Sequence, residues 1–152
     1  MNTTDILISD FTDPLFRQAF TRYFEELGVS VRDWDALFQE MNNGKDTWAF
    51  LRVSDDDTVV GFLLFSFTTL SNWFFETRVG FVREFWVGDS QRCKGHGAAL
   101  LALAEEHFIQ NGIFKAILPT DTAEPFYIRH GYSKDTDIRA KNHDPVFVKN
   151  LR

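Results

Sequence analysis

Cysteine, basic residues and long apolar runs are all scarce in this sequence, and each shortage excludes a class of protein. Cys93 is the only cysteine among 152 residues, so no intrachain disulfide can form and we expect the reducing cytoplasm as the compartment. No segment approaches the roughly 20 consecutive apolar residues of a membrane-spanning helix. The first five residues lack the basic start and the apolar run of a signal peptide. We therefore expect a cytoplasmic protein that does not enter a membrane.

The charge balance is acidic. The 16 Lys and Arg residues are outnumbered by 22 Asp and Glu residues, which gives a net charge of −6. This charge disfavours nucleic acid and anionic membranes as partners and suits a cationic amine. The histidines show no metal-ligand spacing, so we expect no metal site; they are His96, His107, His130 and His143.

Length and composition predict one domain spanning residues 1–152. A chain of this size can bury a full core, and its 44% apolar and 25% charged residues are ordinary for a globular protein. The unusual feature is a total of 17 phenylalanines, which suggests an aromatic core and a groove lined with rings. No repeat, linker or low-complexity segment is present.

Hydrophobic periodicity predicts the element order β-α-α-β-β-β-α-β-α-β. The predicted strands cover residues 6–8, 48–53, 59–68, 81–87, 113–118 and 145–151. The predicted helices cover residues 14–27, 33–41, 95–111 and 122–130. The strands at 48–53 and 59–68 are apolar on both faces, so we expect central strands covered by helices.

The most informative segment is residues 92–98, with the sequence RCKGHGA, between the strand at 81–87 and the helix that begins near Gly95. A glycine-rich basic turn that opens a helix presents unpaired N–H groups and the positive end of the helix dipole, which together suit a phosphate. The segment is not a P-loop, because no glycine is followed by Lys and a hydroxyl residue. It also fits the dinucleotide fingerprint poorly, because Leu100 stands where a third small residue is needed.

The loop resembles R/Q-x-x-G-x-G/A, the acetyl-CoA pyrophosphate loop of the GNAT superfamily of N-acetyltransferases, with matches at Arg92, Gly95 and Gly97. A second segment, AEPFYIRHGY at 123–132, is similar to the family's A-x-x-Φ-Y-x-x-x-G-[FY], where Φ is apolar. The resemblance covers about residues 47–151. It implies an α/β fold with a mixed, mostly antiparallel sheet flanked by helices on both faces. It also implies acetyl-CoA as co-substrate, with its pantetheine between the fourth and fifth strands.

The resemblance also implies cofactor-binding residues. At Thr120 the family often has Asn to bind the pantetheine arm, a contact that a Thr hydroxyl makes less well. Tyr127 matches the family tyrosine that donates a proton to the departing thiolate; the alternative is a ring that only packs. The implied set is Phe85, Trp86, Val87, Arg92, Cys93, Lys94, Gly95, His96, Gly97, Ala98, Thr120 and Tyr127.

The general base is the least defined part of the site. Family members often carry an acid at the positions that are Phe81 and Arg83 here. Glu84 lies one residue along, so strict alternation puts it with Trp86 on the opposite face unless a β-bulge reverses the order. We predict Glu84 as the base, with a water relay or Glu76 as rivals.

Three residues are predicted to contact the acceptor. Under strict alternation Arg83 faces the cleft, where a guanidinium suits an acceptor with its own carboxylate or phosphate. The alternative is an ion pair between Arg83 and a nearby acid such as Glu76. Trp73 and Phe75 precede the fourth strand and line either an acceptor pocket, the core or a dimer contact.

The resemblance implies direct transfer of an acetyl group from acetyl-CoA to a primary amine, and we favour a small molecule over a protein as acceptor. Polyamines, aminoglycosides, amino acids, small metabolites and protein N-termini are all compatible with the two motifs, and a homodimer is left open. The main alternative is a catalytically silent acyl-CoA-binding or sensor domain of the same fold. A nucleotide-binding protein is a more distant one.

Overall fold

The computed structural model describes residues 2–71 and 74–152, and these residues form one seven-stranded sheet. The strands are β1 (Thr3–Ile8), β2 (Thr47–Ser54), β3 (Val59–Ser71), β4 (Glu76–Val87), β5 (Lys115–Pro119), β6 (Ser133–Asp135) and β7 (Val146–Asn150). Their spatial order is β1-β2-β3-β4-β5-β7-β6. Within the described residues, β4 and β5 are the one parallel pair, so the sheet is mixed and mostly antiparallel, as predicted.

Helices cover both faces of this sheet. They are α1 (Pro14–Leu27), α2 (Trp34–Asn42), α3 (His96–Gln110) and α4 (Glu124–Arg129). Helix α1 begins where the Asp13 carboxylate accepts hydrogen bonds from the N–H groups of Leu15 and Phe16, with Pro14 at the first position. It ends at Gly28, whose φ of 70° is a left-handed conformation that glycine adopts without strain. None of the helices in the described residues is long and apolar enough to cross a membrane.

Two aromatic-rich cores result from the alternation of side chains along the strands. Phe62 and Leu64 of β3 point toward α1 and α2, whereas Leu63 and Phe65 point toward α3 and α4. The fit of α3 is close at Gly80, where an added Cβ would lie 2.5 Å from the buried ring of Phe108. The predicted α/β class, with helices on both faces, is confirmed.

The sheet opens next to strand β4. Hydrogen-bonded pairing between β4 and β5 covers only Gly80 and Phe81, and beyond that point the two strands separate. Just past the separation β4 carries a β-bulge: Leu64 pairs with Glu84 and Phe65 with Val82, which leaves Arg83 without a partner. We call the gap between β4 and β5 beyond Phe81 the fork.

Several parts of the sheet depart from the sequence prediction. Strand β1 begins three residues earlier than predicted, at Thr3, and β5 two residues later, at Lys115. Strand β6 was not predicted, because its three polar residues carry no apolar alternation and pair only with the edge strand β7. The hairpin of β3 and β4 is longer than predicted: β3 continues three residues further, to Ser71, and β4 begins five residues earlier, at Glu76. These ends are mostly exposed, so burial imposes no apolar pattern that could be read from the sequence. A 3-10 turn, Asp89–Gln91, links β4 to the loop before α3.

Candidate active site

The loop at residues 92–98 is shaped by two left-handed residues. Cys93 and Gly95 have φ angles of 63° and 85°, and Gly95 is the residue immediately before α3. Nothing in the described part of the chain accepts a hydrogen bond from the N–H groups of the next three residues, His96, Gly97 and Ala98. The first helical bond runs from Ala99 to the carbonyl of Gly95. The positive end of the α3 dipole and free donors therefore coincide, as an anion site requires.

These donors face a pocket of about 650 Å3 between the loop, the end of β4 and helix α4. This volume lies within the roughly 300–1,000 Å3 that is usual for small-molecule sites. The pocket is lined by Phe85, Val87, Gln91, Arg92, Cys93, Gly95, His96, Gly97, Ala98, Ala123, Phe126, Tyr127, Arg129 and His130.

Gly97 keeps the backbone of α3 open to the pocket. An added Cβ at this position would lie 3.6 Å from Phe126 and 3.7 Å from Phe85, which are ordinary van der Waals distances. Both rings line the pocket, so a larger side chain at position 97 would project between them. A substitution here would therefore fill the pocket without breaking the fold.

The guanidinium of Arg92 is bound to protein groups that hold the loop in place, so its charge is already partly neutralised. Its Nε donates to the Val87 carbonyl at 2.9 Å, and its two terminal nitrogens lie 3.0 Å from Glu26 and 2.5 Å from Asp89. The same Glu26 oxygen accepts a 2.6 Å hydrogen bond from the indole N–H of Trp86. Glu26 belongs to α1, so this helix on the opposite face is tied directly to the loop.

Main-chain groups of β4 face the fork. The Gly88 N–H donates to the Val60 carbonyl in β3, and hydrogen-bonding direction alternates along an antiparallel strand. The N–H groups of Phe85 and Val87 therefore point away from β3, toward the fork, while that of Trp86 points toward β3. The contact of Arg92 with the outward carbonyl of Val87 agrees with this assignment.

Tyr127 reaches the pocket from α4 and is 6% exposed. Its ring packs against Phe126 and Tyr132, with centroids 5.2 Å and 5.5 Å away. Its hydroxyl makes no hydrogen bond to any described residue. Burial raises the pKa of Tyr127 to about 12, so the hydroxyl stays protonated throughout the physiological range.

Glu84 lies at the bulge with its side chain 32% exposed, but its Oε2 is buried and has no hydrogen-bond donor among the described residues. The nearest cation is Arg83, whose Nε is 3.8 Å from that oxygen. Burial raises the pKa of Glu84, an effect that the charge of Arg83 partly opposes. The charge of Glu84 in turn adds to the effect of burial in raising the pKa of Tyr23 on α1.

The bulge decides which face Glu84 occupies. Val82 joins the core under α3, whereas Glu84 and Trp86 lie on the side of α1. If Arg83 were paired in a regular strand, Glu84 would share the face of Val82. The bulge therefore brings Glu84 to the face of Phe81, where the resemblance places an acid.

The sequence matches the model of the acetyltransferase (GNAT) family over residues 6–132, most of its length. The chain belongs to the GNAT family. No curated protein is significantly similar to it in sequence.

Several solved structures share the GNAT fold with this chain. An acetyltransferase of the GNAT family from Staphylococcus aureus Mu50 superposes with a TM-score of 0.75 at 15% identity, over 99% of this chain and 100% of that one. A predicted acetyltransferase from Clostridium acetobutylicum, solved with acetyl-CoA, gives 0.75 at 13% identity over 91% and 95%. The PaiA N-acetyltransferase of Thermoplasma acidophilum, solved with coenzyme A, gives 0.66 at 14% identity over 99% of both chains.

The remaining predicted site residues of this GNAT chain lie at varied distances from the pocket. The Trp86 side chain is 4% exposed and packs under α1, against Phe62 and beneath Arg22. Lys94 is exposed in the loop and is not part of the pocket lining, and neither is Thr120. The Thr120 hydroxyl instead accepts from the N–H groups of residues 122 and 123 just before α4.

Of the two hairpin residues predicted to contact the acceptor, Phe75 is not part of the pocket lining. Phe75 is exposed beside the start of β4, and Trp73 lies outside the described residues. Glu76, the rival base, is exposed at the first position of β4, on the same hairpin.

Sequence reasoning did not select several residues that line the pocket. Ala123, Phe126 and His130 were not selected, and they share one face of α4 and its two caps with the selected Tyr127, at the spacing i, i+3, i+4 and i+7. This helical spacing was the available signal. Gln91 and Arg129 also line the pocket, and neither carries a local pattern that indicates it. Across residues 2–71 and 74–152, no group of three or more His, Cys, Asp or Glu side chains is placed to hold a metal ion.

Proposed function

We propose that this GNAT protein transfers an acetyl group from acetyl-CoA to the primary amine of a small molecule. The observation that carries the proposal is the position of the pocket. It joins unpaired N–H groups at the start of α3 to the fork, with the hydroxyl-bearing ring of Tyr127 beside them. Acetyl-CoA carries a diphosphate, an extended pantetheine arm and a thioester in this order. The N–H groups, the fork and Tyr127 would contact these three parts in turn.

The residues present fit acetyl-CoA. The N–H groups of His96, Gly97 and Ala98 would hold the diphosphate at the positive end of α3. The outward N–H groups of Phe85 and Val87 would hold the pantetheine arm and polarise the thioester carbonyl. When bound, acetyl-CoA supplies an acetyl group already activated as a thioester. The protein contributes position and charge stabilisation.

Glu84 is our proposed general base. An alkyl amine with a pKa near 10 is only about one part in a thousand neutral at pH 7, so its proton must be accepted before or during attack. The nitrogen then forms a bond to the carbonyl carbon while the carbon–sulfur bond breaks, and the sulfur leaves with the electron pair. The Oε2 of Glu84, which has no donor, and a raised pKa both favour uptake of that proton.

Tyr127 is our proposed partner for the leaving sulfur. An ordinary thiol has a pKa near 8.5, so complete transfer of a proton from a phenol with a pKa of about 12 would be uphill by roughly 3.5 units, or about 5 kcal/mol. A hydrogen bond from the hydroxyl to the developing thiolate avoids this difference. We therefore infer that Tyr127 stabilises the thiolate chiefly by hydrogen bonding.

Acetyl-CoA binding tests the first half of the proposal. At about 100 times its Kd the ligand stabilises the folded state by about 2.7 kcal/mol, which raises the Tm by about 5–10 °C for a protein of this size. Gly97→Val should remove this shift while the unliganded Tm changes little, because the fold has room for the Cβ. Ala102→Val, on the exposed face of the same helix, is the matched control and should keep the shift.

Free-thiol release separates catalysis from the silent acyl-CoA-binding alternative. The proposal predicts thiol release that depends on an added amine. Stabilisation by acetyl-CoA without thiol release, across a broad panel of amines, would favour the silent domain. No stabilisation by acetyl-CoA at all would contradict both.

A further inference from the structure

The β4 bulge places two incompletely satisfied, oppositely charged side chains next to each other at the fork. Arg83 is the unpaired residue of the bulge and Glu84 follows it, both after the last paired residue between β4 and β5, Phe81. Both side chains are about one-third exposed, 38% for Arg83 and 32% for Glu84. Neither residue belongs to the pocket lining. Both lie at the fork, where the proposed reaction would bring the acceptor to the thioester.

Arg83 and Glu84 do not satisfy each other. The 3.8 Å between Nε and Oε2 exceeds hydrogen-bond length, so the two charges attract each other without a hydrogen bond. The guanidinium has no hydrogen-bond acceptor among the described residues, and the Oε2 of Glu84 has no donor there. The alternative predicted from the sequence was an ion pair between Arg83 and a nearby acid such as Glu76; the acid that lies near it, at 3.8 Å, is Glu84, without a hydrogen bond.

We propose that the acceptor is an amine with its own neighbouring anionic group, a carboxylate or a phosphate, which Arg83 binds while Glu84 receives the amino group. This inference rests on the proposed function and names its acceptor class. A guanidinium binds such oxyanions through two parallel N–H donors, and its planar fork is suited to this geometry. An α-amino acid carries both charges on one carbon, so it can contact two adjacent residues at once.

The same geometry disfavours polycationic acceptors. The second ammonium of a diamine would approach Arg83 instead of a carboxylate, and like charges at contact distance repel. The overall charge of −6 attracts cations at long range, but the local cation at the fork decides the fit at contact distance.

Matched amine pairs test the proposal, with free-thiol release from acetyl-CoA as the readout. The pairs are phenylalanine with phenethylamine, lysine with cadaverine, and phosphoethanolamine with ethanolamine. We expect the wild-type kcat/KM to be about tenfold or more higher for the anionic member of at least one pair. The first two pairs report on carboxylate and the third on phosphate, so the pair that responds identifies the anion.

Arg83→Gln should then lower kcat/KM for the preferred anionic amine by about 10- to 100-fold more than for its non-anionic counterpart, mainly through KM. This is the range expected when hydrogen bonds to a charged group are lost. Arg83→Lys, which keeps the charge without the planar fork, should recover part of the loss. Arg78→Gln, earlier on the same strand and also exposed, is the control and should leave both amines unchanged.

The outcomes distinguish a failure of this inference from a failure of the proposed function. Thiol release with the non-anionic member preferred in all three pairs would overturn this inference and leave the proposed function standing. An equal loss for both members in Arg83→Gln, accompanied by a lower Tm, would also overturn it, because Arg83 would then serve only the fold. No thiol release with any amine would overturn the proposed function and this inference with it.

Discussion

At the scale of single residues, Tyr127 combines a buried ring with a hydroxyl that faces the pocket. Tyr127→Phe keeps the packing against Phe126 and Tyr132 and removes only the hydroxyl. We expect kcat to fall by about 10²-fold, as is typical when one positioned hydrogen-bond donor to a developing charge is lost, with little change in the Kd for acetyl-CoA.

Tyr132→Phe is the matched control. Its hydroxyl is also buried, but it donates to Glu105 at 2.8 Å, outside the pocket lining. This variant should lower the Tm and leave kcat nearly unchanged. An equal loss of kcat in the two variants, with chemistry limiting the rate, would leave Tyr127 with a packing role only.

Glu84 should show a conflict between stability and activity. Its pKa is raised in the folded state by burial, so the folded protein binds this proton more tightly than the unfolded chain does. Stability therefore falls as the pH rises from the ordinary glutamate pKa, near 4.5, through the raised value, and the loss persists above it. Glu84→Gln should raise the Tm at neutral pH and lower kcat.

The pH dependence of the Tm tests whether the charge of Glu84 destabilises the folded protein at neutral pH. The Tm difference between Glu84→Gln and wild type should vanish at pH values below about 4.5, where Glu84 is protonated in both states. The wild-type kcat should rise with pH through the raised pKa, and this step should be absent in the variant. A variant that is less stable than wild type at neutral pH would indicate that the Glu84 charge supports the fold.

Sequence reasoning reached these residues with unequal success, for a physical reason. Tyr127 and the loop glycines belong to contiguous motifs, so their neighbours in the chain are also their neighbours in space. The face of Glu84 depends on the bulge, which arises from the pairing of β4 with Leu64 and Phe65 of β3. No local pattern in the sequence encodes that pairing, so the face on which Glu84 lies could not be predicted.

At the scale of elements, nothing in the sequence indicates the contact between α1 and the loop at residues 92–98. Glu26 is 66 positions away from Arg92 in the chain, and on an exposed helix end it looks like a solvated acid. In the structure its carboxylate joins Trp86 of β4 to Arg92 of the loop, at 2.6 Å and 3.0 Å. We infer that it positions the loop.

Glu26→Gln keeps the size of the side chain and removes its charge. We expect the Kd for acetyl-CoA to rise by about threefold to fivefold, since a partly exposed ion pair contributes up to about 1 kcal/mol. The kcat at saturating acetyl-CoA should change little, because no reacting atom is touched. Glu25→Gln, at the exposed neighbouring position, is the control and should leave the Kd unchanged. A change in Tm without a change in Kd would contradict a positioning role.

Predictability also differs among the elements. Helices α1 and α3 were predicted within one or two residues, because caps and apolar spacing are local signals. The short polar strand β6 was not predicted, because its strand conformation depends on pairing with the distant strand β7. The fork was expected from the family resemblance, but its starting point after Phe81 follows from the pairing of β4 with β5.

At the scale of the whole molecule, the sheet separates the two halves of the proposed reaction. The proposed phosphate-binding loop and Tyr127 lie on the side of α3 and α4, and Glu84 lies on the side of α1. The fork is where the two sides meet, so donor and acceptor can approach each other from opposite faces. The order of elements predicted from periodicity is confirmed as far as α4, and the fold adds β6 before the last strand.

Acetyl transfer itself is the central claim, and its stoichiometry tests the claim most directly. Wild-type protein with acetyl-CoA and a panel of amines would be followed by free thiol and by the mass of the amine product. We predict one acetylated amine for each thiol released, and loss of both in Gly97→Val. Thiol release without an acetylated amine, or equal rates in wild type and Gly97→Val, would contradict the account.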